Sequence, residues 1–399
     1  MIHKFKVNDI RLVLDVNSGA VHIIDELIWD LLDYGPDFPW QIVQEGLSNK
    51  YKLEDLKEGL SEIKELMEAE MLYTLWNPED KPVMMGQPVI KAMCLHAAHD
   101  CNLRCSYCFA STGDFKGERG LLDLETGKKA LEFLIQRSGH RKNLEVDFFG
   151  GEPMMNFEVV KQLVQYGREL EKQHHKQFRF TITTNGLLLD DEAMEYINRE
   201  FVNVVISMDG RPEVHDHLRK TRTGTGSYEL IVPKAIKLAE SRNQRNYYVR
   251  GTFTKFNKDF DKDVLHLADL GFQQISIEPV VAPEEEEYHL SAEDLPEINE
   301  AYERLMEAYL QRKKQNRGFN FFHFMVDLEQ GPCVAKRSTG CGAGNEYVAV
   351  TPTGDIYPCH QFVGDEDFKM GSVMNGLFNQ EMQQVFRASN VFTKEKCAS

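Results

Sequence analysis

Three cysteines fall within eight residues, at Cys101, Cys105 and Cys108, and Tyr107 directly precedes the last of them. Thiolates gathered in so short a segment are typical metal ligands, and we expect one loop to bring all three to a single point. A closed site needs four ligands, so one position stays open. A cubane iron–sulfur cluster held by three cysteines would keep one iron free to bind another molecule. A zinc site or buried free thiols are the alternatives.

A second motif, Phe149-Gly150-Gly151-Glu152-Pro153, follows about forty residues later. Two glycines let the backbone approach a ligand closely, and proline ends the preceding strand. The Glu152 carboxylate can accept a hydrogen bond from an ammonium group. The alternative is a tight turn followed by a helix-capping glutamate.

Polar residues also end two further stretches of strand-like sequence. Thr183 and Asn185 are two positions apart, so they share one face of a strand. Ser207 and Asp209 repeat this pattern in Ile-Ser-Met-Asp-Gly, where Asp209 could instead brace the turn. These residues extend the candidate site beyond the cysteines.

The elements that must position these residues alternate regularly between strand and helix. The predicted strands are Val89–Ala97, Leu144–Phe149, Phe178–Thr184, Asn203–Met208, Tyr247–Thr254 and Gln274–Val281. The helices between them include Glu125–Gln136, Glu158–Gln173, Tyr228–Ser241 and Asp261–Leu270. Six such repeats predict an α/β fold with a parallel sheet. Every motif above follows one of these strands, at the edge where ligands bind parallel sheets.

A second group of cysteines lies near the end of the chain, at Cys333, Cys341, Cys359 and Cys397. Clustering into an early and a late group favours two metal sites in a long chain. Between them, 347–357 predicts a hairpin whose turn is set by Pro352 and Gly354. Zinc is the alternative metal for the late group.

The first 78 residues predict a separate unit. Two alternating stretches, 5–15 and 20–25, read as a small hairpin, and three helical stretches follow at 26–32, 40–47 and 53–71. This is the pattern of a winged-helix-like domain. Its third helix is rich in glutamate, so a peptide added as a strand along the hairpin edge is the expected partner rather than DNA. A structural cap is the alternative. Prolines and glycine mark 79–88 as a linker.

Bulk composition limits the remaining possibilities. The chain has 399 residues and a formal net charge of −17, from 46 basic and 63 acidic residues. That balance argues against nucleic acid as a partner. No apolar run approaches the length of a membrane span, and the first residues lack a signal sequence. We therefore expect a cytoplasmic protein with no membrane partner.

The cysteine motif, the Gly150–Pro153 motif and the strand-end residues together resemble the radical S-adenosylmethionine (SAM) enzymes. The resemblance implies a partial (β/α)6 barrel over 89–315, with a [4Fe-4S] cluster on Cys101, Cys105 and Cys108. SAM would occupy the open iron. It assigns cofactor binding to Tyr107, Gly150, Gly151, Glu152, Thr183, Asn185, Ser207 and Arg219. In that assignment Glu152 meets the methionine amino group, Ser207 the ribose and Arg219 the carboxylate.

The late cysteines resemble the SPASM domain, which holds auxiliary iron–sulfur clusters. The resemblance makes Cys333, Cys341 and Cys359 ligands of a first auxiliary [4Fe-4S] cluster and Cys397 a ligand of a second. The sequence stops two residues later, so the SPASM domain over 325–399 is incomplete; truncation or loss of the second cluster would each explain this.

The stretch from Cys94 to Gly113 and the opening 14–21 are most similar to the maturases of six-cysteine (SCIFF) peptides. That similarity implies a 5′-deoxyadenosyl radical, hydrogen abstraction from a peptide α-carbon, and a thioether bond from a cysteine sulfur to that carbon. The implied partners are a cysteine-rich precursor peptide and an electron donor such as ferredoxin or flavodoxin. Two alternatives stay open: an anaerobic sulfatase-maturing type of enzyme, and a non-catalytic, metal-stabilised peptide-binding protein.

Overall fold

The computed structural model describes residues 1–7, 9–75, 88–326, 340–391 and 393–395. The chain forms two units, one of Met1–Met85 with Val326–Gly340 and the other of Gly86–Met325 with Cys341–Ser399. Most of the predicted linker, and the residues Cys333 and Cys397, lie outside the described residues.

The first unit contains a three-stranded antiparallel sheet and three helices. Its elements are β1 (Ile2–Val7), β2 (Ile10–Asp15), β3 (Val21–Ile24), α1 (Glu26–Leu31), α2 (Trp40–Leu47) and α3 (Leu53–Glu68). The predicted hairpin was wrong in its strand count. Val7 pairs with Ile10, so the chain reverses between them and splits the first predicted strand in two. The sequence Asn-Asp at this point favours a turn.

The helices of this unit pack on one face of the sheet, where Val13 is buried with apolar residues of all three helices. Asp25 caps α1 because its carboxylate accepts a hydrogen bond from the Ile28 amide at 2.8 Å. The spacing of Leu56, Leu60 and Ile63 along α3 places all three in the same core.

The second unit is built on six parallel strands that lie side by side in chain order. They are β4 (Ala92–His99), β7 (Asn143–Gly150), β8 (Gln177–Thr184), β9 (Asn203–Ser207), β11 (Tyr247–Phe253) and β12 (Gln274–Pro279). Two short strands join this sheet, β6 (Gly120–Leu121) beside β4 and β13 (Asn320–Phe321) beside β12. Two others, β5 (Leu103–Cys105) and β10 (Arg219–Thr221), form a separate two-stranded sheet. The predicted parallel α/β fold is confirmed.

Helices connect these strands and cover one side of the sheet. They are α4 (Leu124–Arg137), α5 (Phe157–His174), α6 (Asp191–Glu200), α7 (Pro212–Leu218), α8 (Tyr228–Ser241), α9 (Phe260–Asp269) and α10 (Leu295–Lys314). Alternation along β7 shows the two sides: Leu144, Val146 and Phe148 are buried in the main core, whereas Asp147 and Phe149 face the opposite side. That second side is the inner face of the partial barrel.

The C-terminal segment extends the same sheet. Strands β14 (Tyr347–Val350) and β15 (Asp355–Tyr357) form the predicted hairpin, and Gly354 adopts a φ of 84° at its turn. β14 pairs in parallel with β4, so the barrel does not close between its first and last strands. The remaining elements are β16 (Gly371–Ser372), β17 (Leu377–Phe378) and α11 (Gln380–Ala388). No helix among the described residues is long and apolar enough to span a bilayer.

Candidate active site

The cysteine loop leaves the carboxyl end of β4 and packs against the turn that follows β7. The Gly151 amide donates to the Ala98 carbonyl at 2.8 Å, and the Glu152 amide donates to the Asp100 carbonyl at 2.9 Å. A Cβ atom at Gly151 would lie 2.2 Å from the Asp100 oxygen, and one at Gly150 would lie 2.2 Å from the Ala98 oxygen. Both glycines are therefore needed for this close approach of two backbones.

Nitrogen donors surround the thiols of this loop. The Leu103 amide lies 3.4 Å from Cys101 Sγ, Asn185 Nδ2 lies 3.7 Å from the same sulfur, and Arg219 Nη1 lies 3.8 Å from Cys105 Sγ. Burial raises the pKa of Cys101 and of Cys105 to about 12. The free thiols are therefore neutral, and binding a metal must release protons while the donors stabilise the thiolates.

The arrangement of the thiols does not suit one metal ion. Within the described ranges, no three His, Cys, Asp or Glu side chains are placed to hold a single ion. Tetrahedral zinc with Zn–S bonds near 2.3 Å would require sulfurs about 3.8 Å apart. Convergence of the three thiols on one point therefore stays a prediction. Cysteines that bind different corners of a cluster need not converge, because each ligates its own iron.

An unpaired hydrogen-bond donor beside Cys101 supports a cluster at this place. Asn185 Nδ2 donates to Asn102 Oδ1 at 2.7 Å, which fixes the Asn102 amide beside Cys101. Asn102 Nδ2 is buried and has no hydrogen-bond partner among the described residues. A buried unpaired donor costs about 1–3 kcal/mol, so it marks a position where an acceptor is expected. Sulfur atoms of a cluster would be such acceptors, and the residues present fit one.

Glu152 braces the ends of two strands. Its carboxylate accepts hydrogen bonds from Thr184 Oγ1 at 2.7 Å, from the Asn185 amide at 2.8 Å and from the Met154 amide at 3.0 Å. The residue is only 1% exposed, and burial raises its pKa to about 7. Three of roughly four lone-pair positions are filled, which leaves one for an added ammonium group.

Tyr107 and Arg219 meet at a single buried carboxylate. The Tyr107 hydroxyl lies 2.8 Å from both oxygens of Asp209, and Arg219 Nε donates to Asp209 Oδ2 at 2.9 Å. The Thr252 amide adds a third donor at 3.0 Å. Asp209 therefore does brace its turn, and Arg219 already has a carboxylate partner within the chain.

Comparison with known proteins finds two domain families that match parts of this chain. Residues 97–271 match the model of the radical SAM superfamily, and residues 341–399 match that of the SPASM iron–sulfur cluster-binding domain. The central segment has the radical SAM fold. It implies a [4Fe-4S] cluster and SAM, and the SPASM domain implies auxiliary iron–sulfur clusters.

Individual relatives are distant in sequence. A cysteine-type anaerobic sulfatase-maturating enzyme of Clostridium novyi is 24% identical over 320 residues, which is 75% of this chain and 82% of that protein. The structure of anSMEcpe with bound AdoMet and a peptide has a TM-score of 0.61 at 19% identity, covering 75% of this chain and 84% of that one. Streptococcus suis SuiB bound to its precursor peptide SuiA has a TM-score of 0.56 at 15% identity, covering 100% and 93%. These structures share the fold of this chain.

The inner face of the radical SAM domain carries polar residues that sequence patterns did not single out. Asp147 accepts from Thr181 Oγ1 at 2.7 Å and from Thr183 Oγ1 at 3.3 Å, and burial raises its pKa to about 6. Thr183 thus faces the barrel interior as predicted, and Ser207 lies half-buried at the end of β9. A carboxylate in the middle of a strand covered by helices was the available signal for Asp147.

Aromatic rings connect the cysteine loop of the radical SAM domain to the SPASM domain. His99 stacks on Phe115 with ring centroids 4.7 Å apart, and the His96 ring is tilted against Phe115 at a centroid distance of 4.5 Å. The Phe149 ring centroid lies 5.9 Å from that of His96 and 5.1 Å from that of His360, the residue next to Cys359. Histidines spaced three apart before the cysteine motif were the only sequence signal for this cluster.

The two described late cysteines differ from each other in exposure. Cys341 is exposed, and Cys359 is half-buried with the Gln361 amide 3.4 Å from its sulfur. Burial raises the pKa of Cys359, and the nearby Cys341 adds to that shift. Cys333 and Cys397, the other predicted auxiliary ligands, lie outside the described residues.

Proposed function

We propose that this chain is a peptide maturase that forms a thioether between a cysteine sulfur and an α-carbon of a cysteine-rich precursor peptide. Its radical SAM and SPASM domains imply an enzyme with several iron–sulfur clusters. The peptide substrate and the thioether product go beyond what these domains imply, and we propose both.

The edge of β3 in the first unit is the observation that carries the proposal. Among the described strands β3 pairs only with β2, and it has no charged residue. Ile23 on this strand is 77% exposed. The opposite edge, β1, carries Lys4 and Lys6, whose ammonium groups lie over the Trp29 ring. Lysines protect a strand edge, so β3 is the edge open to an added peptide strand.

The similarity to SuiB supports the same proposal. SuiB was captured with a precursor peptide, and its structure covers the whole of this chain, whereas anSMEcpe covers three quarters of it. A peptide recognised by the first unit would be a precursor with a leader segment. An iron–sulfur protein such as ferredoxin, or a flavodoxin, would supply the electron.

The residues around the cysteine loop hold and orient the cofactors. Cys101, Cys105 and Cys108 would ligate the cluster, and the free lone pair of Glu152 would meet the SAM ammonium group. When bound, these cofactors supply the 5′-deoxyadenosyl radical that removes one hydrogen atom from the peptide. Closure of the C–S bond then releases the thiol proton and one electron, which an auxiliary cluster implied by the SPASM domain would accept. Asp147 is our candidate proton acceptor, because a pKa of about 6 suits a base near neutral pH.

The test uses the full chain and a synthetic six-cysteine precursor, with and without its leader. Ile23→Lys places a charge on the β3 edge, and Ile10→Lys alters another exposed isoleucine of the same sheet, which is 49% exposed. We expect Ile23→Lys to raise KM for the leader-bearing peptide about tenfold, equivalent to ~1.4 kcal/mol, with little change for Ile10→Lys. Mass spectrometry should show the loss of two hydrogens for each thioether.

The alternative function is maturation of a sulfatase, which the Clostridium novyi relative supports. That enzyme would act on a cysteine-containing sulfatase peptide and would not distinguish Ile23→Lys from Ile10→Lys. Equal KM values for the two variants, or turnover of the sulfatase peptide alone, would contradict our proposal. Either result would leave SAM cleavage itself intact.

A further inference from the structure

We propose that Arg219 is a positioning residue that sets the reduction potential of the cluster held by Cys105, rather than the partner of the SAM carboxylate. The inference rests on the cofactor implied by the radical SAM domain and not on the peptide chemistry. Its evidence is the buried arrangement of Arg219 with Asp209, Tyr107 and Cys105.

Strand register places Arg219 directly behind the cysteine loop. β10 pairs antiparallel with β5, and Arg219 is opposite Cys105 in that register. Arg219 Nε binds Asp209, and Nη1 reaches Cys105 Sγ at 3.8 Å, which is hydrogen-bonding distance for sulfur. The guanidinium lies over the Tyr107 ring, 5.3 Å from its centroid. One planar group thus contacts the carboxylate, the aromatic ring and the thiol together.

Burial makes this arrangement difficult to rearrange for another ligand. The side chain of Arg219 is 11% exposed, and that of Asp209 is 0% exposed. Separating a buried ion pair leaves an uncompensated charge and costs about 3–5 kcal/mol. Turning Arg219 toward a SAM carboxylate would abandon Asp209 in the interior. The ion pair therefore favours a fixed guanidinium.

A fixed donor beside a cysteine sulfur has a defined redox effect. Hydrogen bonds and positive charge near the sulfurs of a cluster stabilise the reduced form, which carries one more negative charge. Arg219 should consequently raise the potential of the cluster. Removing its charge should make the cluster harder to reduce.

Arg222 provides a matched control on the same loop. Its Nε donates to the Cys101 carbonyl at 2.8 Å, and Nη2 donates to Asp100 Oδ1 at 2.7 Å. Arg222 therefore also clamps the cysteine loop, but through backbone and a carboxylate, and its side chain is 43% exposed. Comparing the two arginines separates a general clamp from a donor to the thiol.

The experiment is a redox titration of the reconstituted full chain, monitored by electron paramagnetic resonance. The relevant cluster is the one whose spectrum changes when SAM is added. For Arg219→Met we expect the reduction equilibrium constant to fall at least about tenfold, which is ~59 mV for one electron. Arg219→Lys keeps the charge and should show a smaller fall. Arg222→Met should change the constant less than about twofold, because its charge is solvated.

Two results would overturn the proposal. One is an unchanged potential in Arg219→Met together with weakened SAM binding to the oxidised enzyme, since that is the signature of a carboxylate partner. The other is failure of both Arg219 variants to bind iron while Arg222→Met binds it, because a structural role would then explain Arg219. If only Arg219→Met fails to load, the potential of Arg219→Lys decides. Neither result bears on peptide modification, which mass spectrometry follows separately.

Discussion

In the early cysteine loop, nitrogen donors from several elements reach the sulfurs of Cys101 and Cys105. Of the late cysteines, Cys341 is exposed and Cys359 is half-buried. The early loop receives donors from Leu103, Asn185 and Arg219, each from a different element. Among the described residues, the Cys359 thiol accepts only from amides of its own turn, those of Gln361 and Phe362.

This difference shows which site the fold prepares in advance. The early ligands are held by backbone contacts with Gly150 and Gly151 and by the buried Asp209, so ordering them costs little when a cluster binds. The late ligands come from a segment that adds to the sheet edge beside β4. Their positions depend more on the metal itself.

Removing a ligand from each region should give the largest effects and separate their roles. Cys105→Ala should abolish formation of 5′-deoxyadenosine from SAM with dithionite as reductant. The loss should exceed about 100-fold, because even outer-shell partners of a metal site contribute about 10- to 100-fold. Cys359→Ala should retain SAM cleavage yet lose the thioether product.

Iron analysis and product analysis of both variants check this contrast. SAM cleavage by Cys105→Ala at the wild-type rate would refute the assignment of the early loop. Absence of cleavage in the wild-type chain with a full cluster content would instead favour a non-catalytic peptide-binding protein.

Asp147 offers a sharper probe of the space between the two regions, because it lies on the inner face and close to Cys94. Its folded pKa of about 6 exceeds the usual 3.8 through burial. The folded state thus binds the proton more tightly, and its contribution to stability is lost as pH rises from 3.8 to about 6. Asp147→Asn removes this loss.

The free energy of unfolding of Asp147→Asn, relative to that of wild type, should therefore rise by about 1.4 kcal/mol between pH 5 and pH 7.5. Roughly one pH unit of the pKa shift lies in that interval. Denaturant unfolding at the two pH values measures the change. Cys94→Ala is the control, because it alters the same neighbourhood without a group that titrates there. A pH-independent difference for Asp147→Asn would mean that its carboxyl is not perturbed.

Sequence patterns were sufficient for the framework of the second unit. Strands β8 and β9 begin or end within a residue of their predicted bounds, and α8 matches at both ends. Apolar residues at every second position of β8 are buried, and this alternation is a signal that sequence patterns can identify. The strand count of the first unit was harder to predict, because only the two residues between Val7 and Ile10 separate one strand from the next.

The candidate site could be predicted only where its signal is local. The cysteine spacing and the two glycines are contiguous in sequence, and they do come together. The partner of Arg219 could not be predicted, because it depends on the register of β10 with β5. The unpaired amide nitrogen of Asn102 could not be predicted either, because Asn185, 83 residues away, fixes the orientation of that amide.

Cys94 gives the smallest expected effect and tests where the late region ends. It is fully buried in a minor core cluster with Ala349 and Tyr357. Burial raises its pKa well above the usual value, and the Asp147 carboxylate and the Cys359 thiol add to that shift. We interpret it as a packing residue, so Cys94→Ala should cost about 1–2 kcal/mol of unfolding free energy. Iron content per chain should stay at the wild-type level. A loss of iron comparable with that of Cys359→Ala would make Cys94 a ligand of the late cluster, and the late region would then share a strand with the early one.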